Sequence, residues 1–266
     1  MPKEITFRRE YPANIKISGP RKPISSRARV VTIRTPVSGI KKSSEPDLSK
    51  IKAFIFDLDG TLVKSAIDFL RLKQETLQHL RELCIETGDL SENMKSYEIM
   101  SHLRECEMQG RLELPYSLVL AEIASVWDRV ELENVDRTEK ILGADEALRL
   151  IRNRGGRVGV ITRGCRTYAI EALRRTQLLS FIDTILGRDD TEEAKPSPKP
   201  LLLAMSILGV EAHETIMVGD TVEDAVCAQR AGVPFIGVST RLSDQAAFMK
   251  LGNVMVLDSV RELLFF

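Results

Sequence analysis

Aromatic side chains are scarce in this 266-residue chain, at 5% with a single tryptophan, so any core it builds is mostly aliphatic. Cysteine is also sparse: Cys84, Cys106, Cys165 and Cys227 stand singly, with no CxxC pair. That scatter excludes a zinc-binding knuckle and a dense disulfide framework, and it fits free thiols in a reducing compartment. Long apolar runs are missing too. The best stretch, Leu201–Val210, is too short to span a bilayer and contains Ser206, so no membrane segment is expected. The N-terminus has no apolar centre of the secretory kind. Pro2, Pro12, Pro20 and Pro23, with Glu4 and Glu10, spoil the amphipathic helix of an organelle-targeting segment. The expectation is a cytoplasmic protein.

Net charge is zero, but it is the sum of two opposed parts. Residues 1–50 carry 12 Lys/Arg against 4 Asp/Glu, and the remainder 26 against 34. The head also holds six prolines and serine clusters, a composition that builds little core. It reads as a basic, Pro-rich extension, mostly flexible or loosely packed, with two candidate extended pieces at Asn14–Ser18 and Ala28–Thr35. It has no interleaved aromatics and no named nucleic-acid motif, so nucleic-acid binding is not expected.

From residue 51 the pattern becomes α/β. Short apolar runs at Ile51–Asp57, Arg157–Thr162, Asp183–Gly187, Thr215–Gly219, Pro234–Val238 and Asn253–Leu257 are what strands buried on both faces look like. Helical stretches separate them: Ala144–Asn153, Arg166–Leu178, Pro200–Leu208 before Gly209, and Val222–Ala231 before Gly232. Strands alternating with helices of about ten residues imply parallel βαβ units.

Between the first and second strands the alternation stops. Residues 64–137 have helical periodicity and no strand signal. Phe69, Leu72, Thr76, Leu77, Leu80 and Leu83 share one face, as do Tyr116, Val119, Leu120, Ile123, Trp127 and Val130, with a third stretch near Ser91–Met108. This predicts a small helical bundle over the carboxyl end of the sheet, where open α/β sheets bind ligands. The expected division is therefore 1–50, a core of 51–63 with 138–266, and the helical insertion 64–137.

The strongest chemical signal is Phe56-Asp57-Leu58-Asp59-Gly60-Thr61-Leu62. Two acids two residues apart at a strand end project into the same crevice. Like charges repel, and a bound Mg2+ is one way to reconcile them, since it takes oxygen ligands. A carboxylate is already ionised at neutral pH, so Asp57 can attack phosphorus without a general base. A second acid, Asp59, can protonate the leaving oxygen and then activate water. Further along come Ile161-Thr162-Arg163-Gly164, then Lys195-Pro196-Ser197-Pro198-Lys199-Pro200, then Gly219-Asp220-Thr221-Val222-Glu223-Asp224. Taken alone, Thr162 suits a strand, a lysine before proline is usually exposed, and acids at a helix start commonly cap it.

These four runs, in this order, resemble the four motifs of the haloacid dehalogenase superfamily, in particular its phosphoglycolate-phosphatase-like branch. The resemblance spans residues 51–258. It implies a Rossmann-like parallel-sheet core with an inserted helical cap, and a Mg2+-dependent phosphatase acting through an aspartyl-phosphate on a small phosphorylated metabolite. It assigns Asp57 as nucleophile, Asp59 as acid and base, Thr162 and Lys195 as phosphoryl-binding residues, and Asp220 as a metal ligand. It also implies that Asp57 and the backbone carbonyl of Asp59 complete, with Asp220, the protein's share of the Mg2+ ligands. By the same resemblance, Asp224 is expected to support the site through a ligand water or by holding Lys195. Many members have Asn where this chain has Arg163. Dehalogenases generally lack an acid at the position of Asp59, which favours phosphoryl transfer. A phosphomutase of the β-phosphoglucomutase type shares all four motifs. A phosphonatase would need a lysine in the insertion, such as Lys73 or Lys95. A non-catalytic scaffold would have no use for the complete set. Arg71, Lys73 and Arg111 are candidate substrate contacts from the insertion.

Overall fold

The structure, a computed structural model, describes residues 50–265 apart from 95, 240, 241, 252 and 253. The extended pieces expected at Asn14–Ser18 and Ala28–Thr35, and Lys95, lie outside the described residues.

Among the described residues, eight strands follow one another: β1 (Ala53–Phe56), β2 (Val63–Lys64), β3 (Glu139–Lys140), β4 (Arg157–Ile161), β5 (Thr184–Leu186), β6 (Thr215–Gly219), β7 (Phe235–Val238) and β8 (Met255–Leu257). Six form one parallel sheet in the order β5-β4-β1-β6-β7-β8. The helices are α1 (Phe69–Glu82), α2 (Ser96–Met108), α3 (Tyr116–Glu133), α4 (Ala144–Asn153), α5 (Arg166–Arg175), α6 (Lys199–Leu208), α7 (Val222–Ala231) and α8 (Leu242–Lys250). The mixed α/β class and the parallel sheet expected from the sequence are both present.

Alternation along the strands builds two cores. Phe56, Val158, Val160 and Val218 pack on one face with Leu148, Tyr168, Ala172 and Leu173 from α4 and α5. Ala53, Ile55, Ile161 and Met217 pack on the other with Leu201, Ala204 and Leu208 of α6 and Cys227 and Ala228 of α7. The sheet is thus covered on both faces, which explains why its strands read as unbroken apolar runs.

Two details differ from expectation. The helix predicted over Arg166–Leu178 ends at Arg175, because Gln177 takes φ +61° and turns Leu178 down into the core, where it is fully buried. The antiparallel pair β2–β3, with Val63 opposite Lys140 and Lys64 opposite Glu139, was not expected. Two-residue strands are too short to show alternation. The pair lies where the chain leaves for the helical insertion and returns from it.

Helices α1, α2 and α3 have a core of their own: Leu72, Leu77, Leu80, Ile99, Leu103, Val119, Ile123, Trp127 and Val130. Among the described residues, no helix is long and apolar enough to cross a membrane. One buried polar chain runs through this core. Trp127 Nε1 donates to Thr76 Oγ1 at 2.7 Å, and that hydroxyl donates to the Leu72 carbonyl at 2.7 Å. Thr76→Val keeps the shape but strands the indole N–H, and should destabilise the protein by about 1–3 kcal/mol. A urea melt with an unchanged midpoint would refute this role.

Candidate active site

Strands β4, β1 and β6 are adjacent and parallel, with Phe56 level with both Val160 and Val218. The residues just past their carboxyl ends are therefore neighbours in space. Those residues include Asp57, Thr162 and Asp220. The Asp57 N–H donates to the Val218 carbonyl at 2.8 Å, which fixes the start of the loop that follows β1. The loop then turns at Gly60, with φ +92°, and is closed by Gly60 N–H donating to the Val63 carbonyl at 2.7 Å.

Gly60 is needed for a second reason. A Cβ there would lie 2.2 Å from Asp220 Oδ2. The absent side chain is what lets the Asp220 carboxylate lie against the Asp57–Asp59 loop. Gly60→Ala meets both the left-handed backbone and the clash. It should displace Asp220 and remove activity while leaving the distant α1–α3 core folded. Wild-type turnover by this variant would overturn the close approach as a functional requirement.

Lys195 stands at the centre of the site. Its side chain is 2% exposed, and its ammonium donates to Asp57 Oδ1, to Asp224 Oδ1 at 2.7 Å and to the Ile161 carbonyl at 3.0 Å. Three donors meet three acceptors, so the buried charge is fully partnered. Burial lowers the Lys195 pKa, but Asp224 and Asp57 outweigh it and the net shift is upward, so the ammonium stays charged. Lys199, the other lysine of the run, is half exposed and pairs with Glu192 and Glu193.

Asp224 is 1% exposed and has donors on both oxygens. Oδ1 takes Lys195, while Oδ2 accepts from Thr221 Oγ1 at 2.5 Å and from the Thr221 N–H at 3.1 Å. The capping arrangement at the start of α7 thus aims Asp224 at Lys195. Two of the sequence readings of this acid, helix cap and lysine anchor, thus describe the same side chain.

Asp59 is held apart from this group. Its Oδ1 accepts from the Tyr168 hydroxyl at 2.6 Å, and its Oδ2 from Thr162 Oγ1 at 3.4 Å. Thr162 Oγ1 also accepts from the Gly164 N–H at 3.1 Å. Burial raises the Asp59 pKa, and the Tyr168 bond opposes it. Tyr168, on the first turn of α5, was not among the residues expected here. Its position in the sequence resembles any core residue on the buried face of a helix, and only the fold shows where its hydroxyl points.

The acids Asp57, Asp220 and Asp224 offer carboxylate oxygens that all lie within 4.8 Å of one another. Asp220 Oδ1 is buried with no protein partner. Burial raises the Asp57 pKa well above its usual range; Lys195 pulls it back, and Asp224, Asp220 and Asp59 push it further up. Asp220 is pushed up to about 7, by burial first and then by Asp224. A cluster of hard oxygen donors in which carboxylates resist ionising, one oxygen of them unpaired, fits a divalent cation such as Mg2+. Cys165 does not fit a nucleophilic role, since burial pushes its thiol up to about 12. Of the insertion's candidates, Arg71 is engaged by Glu75 and Glu133, and Arg111 Nε donates to Gln109 at 2.8 Å.

The shift at Asp220 has a consequence for stability. A carboxyl whose folded pKa is raised binds its proton more tightly folded than unfolded. Its favourable contribution is complete below 3.8 and is lost as the pH climbs through about 7. In chelator, the melting temperature should fall across that window, and more steeply than in Asp220→Asn, where this group cannot titrate. Equal slopes for the two proteins would contradict the assignment.

Residues 54–238 match the family model described as haloacid dehalogenase-like hydrolase. Among curated proteins, the chain is 28% identical over 216 residues to the pyrophosphatase PpaX of Bacillus pumilus, covering 81% of this chain and 96% of that protein. It is 30% identical over 188 residues to a phosphoglycolate phosphatase of Nitrosospira multiformis, covering 68% and 80%. Among solved structures, CbbY from Rhodobacter sphaeroides in complex with phosphate superposes with a TM-score of 0.53 at 20% identity, over 80% of this chain and 96% of that one. At that identity the likeness concerns the fold.

Proposed function

The chain belongs to the haloacid dehalogenase-like hydrolase family and is a phosphatase of that family, and from this premise we propose that it hydrolyses a small phosphorylated metabolite through a phosphorylated Asp57. The observation that carries the reading is the Lys195 ammonium, which joins Asp57 to Asp224 in a buried site beside an acid, Asp59, held on separate partners.

In this proposal Asp57 attacks the phosphorus, forming the O–P bond as the bond to the leaving oxygen breaks. Asp59 gives that oxygen its proton. In the second half, Asp59 takes a proton from water as the water attacks the phosphorus, and Asp57 is released as a carboxylate. Lys195 opposes the protonation that burial favours at Asp57, keeps it aligned, and places a positive charge beside the incoming phosphoryl oxygens. Thr162 donates to one of those oxygens. Asp57, Asp220 and the backbone carbonyl of Asp59 would hold Mg2+, with Asp224 serving the site through Lys195. When bound, the cation supplies charge neutralisation for the carboxylates and the phosphoryl group.

The helices of residues 64–137 act as the cap in this reading. They shut out bulk water and choose the substrate. A small, highly charged phosphorylated substrate is supported by the pyrophosphatase and phosphoglycolate phosphatase names of the relatives. The four free thiols suit the reducing cytoplasm.

Asp57→Asn should lower kcat on p-nitrophenyl phosphate with Mg2+ by about 10⁴-fold or more. Near-wild-type turnover would end the proposal. Asp59→Asn should cost about 10²–10⁴-fold on alkyl phosphates and much less on p-nitrophenyl phosphate, whose leaving group needs little protonation. Equal losses on both would remove Asp59 from the acid role.

A further inference from the structure

A buried charged group beside the site takes no part in the chemistry described above. Arg188 follows β5, and its side chain is 15% exposed. Its Nη1 donates to Glu131 Oε1 at 2.6 Å and its Nη2 to Asp128 Oδ1 at 2.5 Å, while its guanidinium lies 4.9 Å from the centre of the Trp127 ring. Trp127, Asp128 and Glu131 all belong to α3, and the Glu131 side chain is 5% exposed. A buried ion pair of this kind is weak evidence for stability, because desolvation offsets much of its attraction. What it holds is more informative.

Arg188 and Glu131 between them bind the backbone of three successive residues after Thr162. Arg188 Nη1 donates to the Arg163 carbonyl at 2.8 Å, the Arg188 backbone N–H donates to the Gly164 carbonyl at 2.9 Å, and the Cys165 N–H donates to Glu131 Oε2 at 2.8 Å. Gly164 in turn donates its N–H to Thr162 Oγ1. Thr162 Oγ1, which donates to Asp59 Oδ2 at 3.4 Å, is thus also held through the Gly164 N–H by a short loop clamped by one residue from the core and one from α3.

We propose that Arg188 and Glu131 are positioning residues for phosphate binding, holding the loop 163–165 so that Thr162 presents its hydroxyl to the phosphoryl group. The proposal rests on the reading of Thr162 as a phosphoryl-binding residue, and it goes further by making a residue of the helical insertion part of the phosphate site's support. Glu131→Gln leaves one oxygen for two kinds of donor, and Arg188→Lys keeps the charge but loses the planar fork. Neither side chain touches the phosphate in this account.

The test is calorimetric titration of the full chain with inorganic phosphate in Mg2+ buffer. Glu131→Gln and Arg188→Lys should each weaken phosphate binding by about tenfold. Thr162→Ala should weaken it as well. Because Glu131 acts through Thr162, the double variant Glu131→Gln/Thr162→Ala should bind no more weakly than Thr162→Ala alone. A merely structural role would instead give additive losses, and that result overturns the clamp. Wild-type affinity in both Glu131→Gln and Arg188→Lys also overturns it, while leaving Thr162 in its role. Wild-type affinity in Thr162→Ala removes the phosphoryl contact itself, and the clamp falls with it. If Glu131→Gln does not fold, Arg188→Lys and its double variant with Thr162→Ala decide the matter by the same comparison.

Discussion

The buried ammonium of Lys195 is the interaction on which the rest of the site depends. Four acids, Asp57, Asp59, Asp220 and Asp224, converge where β4, β1 and β6 end, and buried carboxylates in such numbers oppose ionisation. Lys195 answers two of them directly and is itself answered by the Ile161 carbonyl. Without it, Asp57 and Asp224 would face each other as unpaired buried charges, a costly arrangement. With it, the protonation that burial favours at Asp57 is opposed, and the proposed use of Asp57 as a nucleophile needs this opposition together with the charge of the bound cation.

The surrounding fold arranges this meeting. Parallel strands in register put three loops side by side, and the left-handed turn at Gly60 lets Asp220 come against the first of them. The start of α7 turns Asp224 towards Lys195 through a cap that the helix needs in any case. On the opposite side, Tyr168 and Thr162 keep Asp59 out of the Lys195 group. Two acids two residues apart thus have different partners. In the proposed mechanism that separation would let one act as the nucleophile and the other carry the proton.

Much of this was legible in the sequence, for identifiable reasons. Buried parallel strands leave continuous β-branched runs, and Gly209 and Gly232 mark helix ends with left-handed backbone, so the alternation could be read directly. The Asp57–Asp59 pair, Thr162, Lys195 and Asp220 stood out because each lies at the end of such a run or in a recurring motif. Tyr168, Glu131 and Arg188 did not. Each lies on an ordinary helix or turn, and its importance comes from a partner far away in the chain: Asp59 for Tyr168, Cys165 for Glu131, α3 for Arg188. Local pattern cannot reveal a contact made across many residues. The β2–β3 pair was missed for the opposite reason, since two residues are too few to carry a period.

The central claim is that Asp57 carries the phosphoryl group between substrate and water. Trapping that species tests it most directly. Acid quenching during turnover, followed by borohydride reduction, converts a phosphorylated aspartate to homoserine, and peptide mass mapping then locates it. The account predicts homoserine at position 57, dependent on substrate. Turnover with no reduced residue at 57, or with the label on another carboxylate, would contradict it.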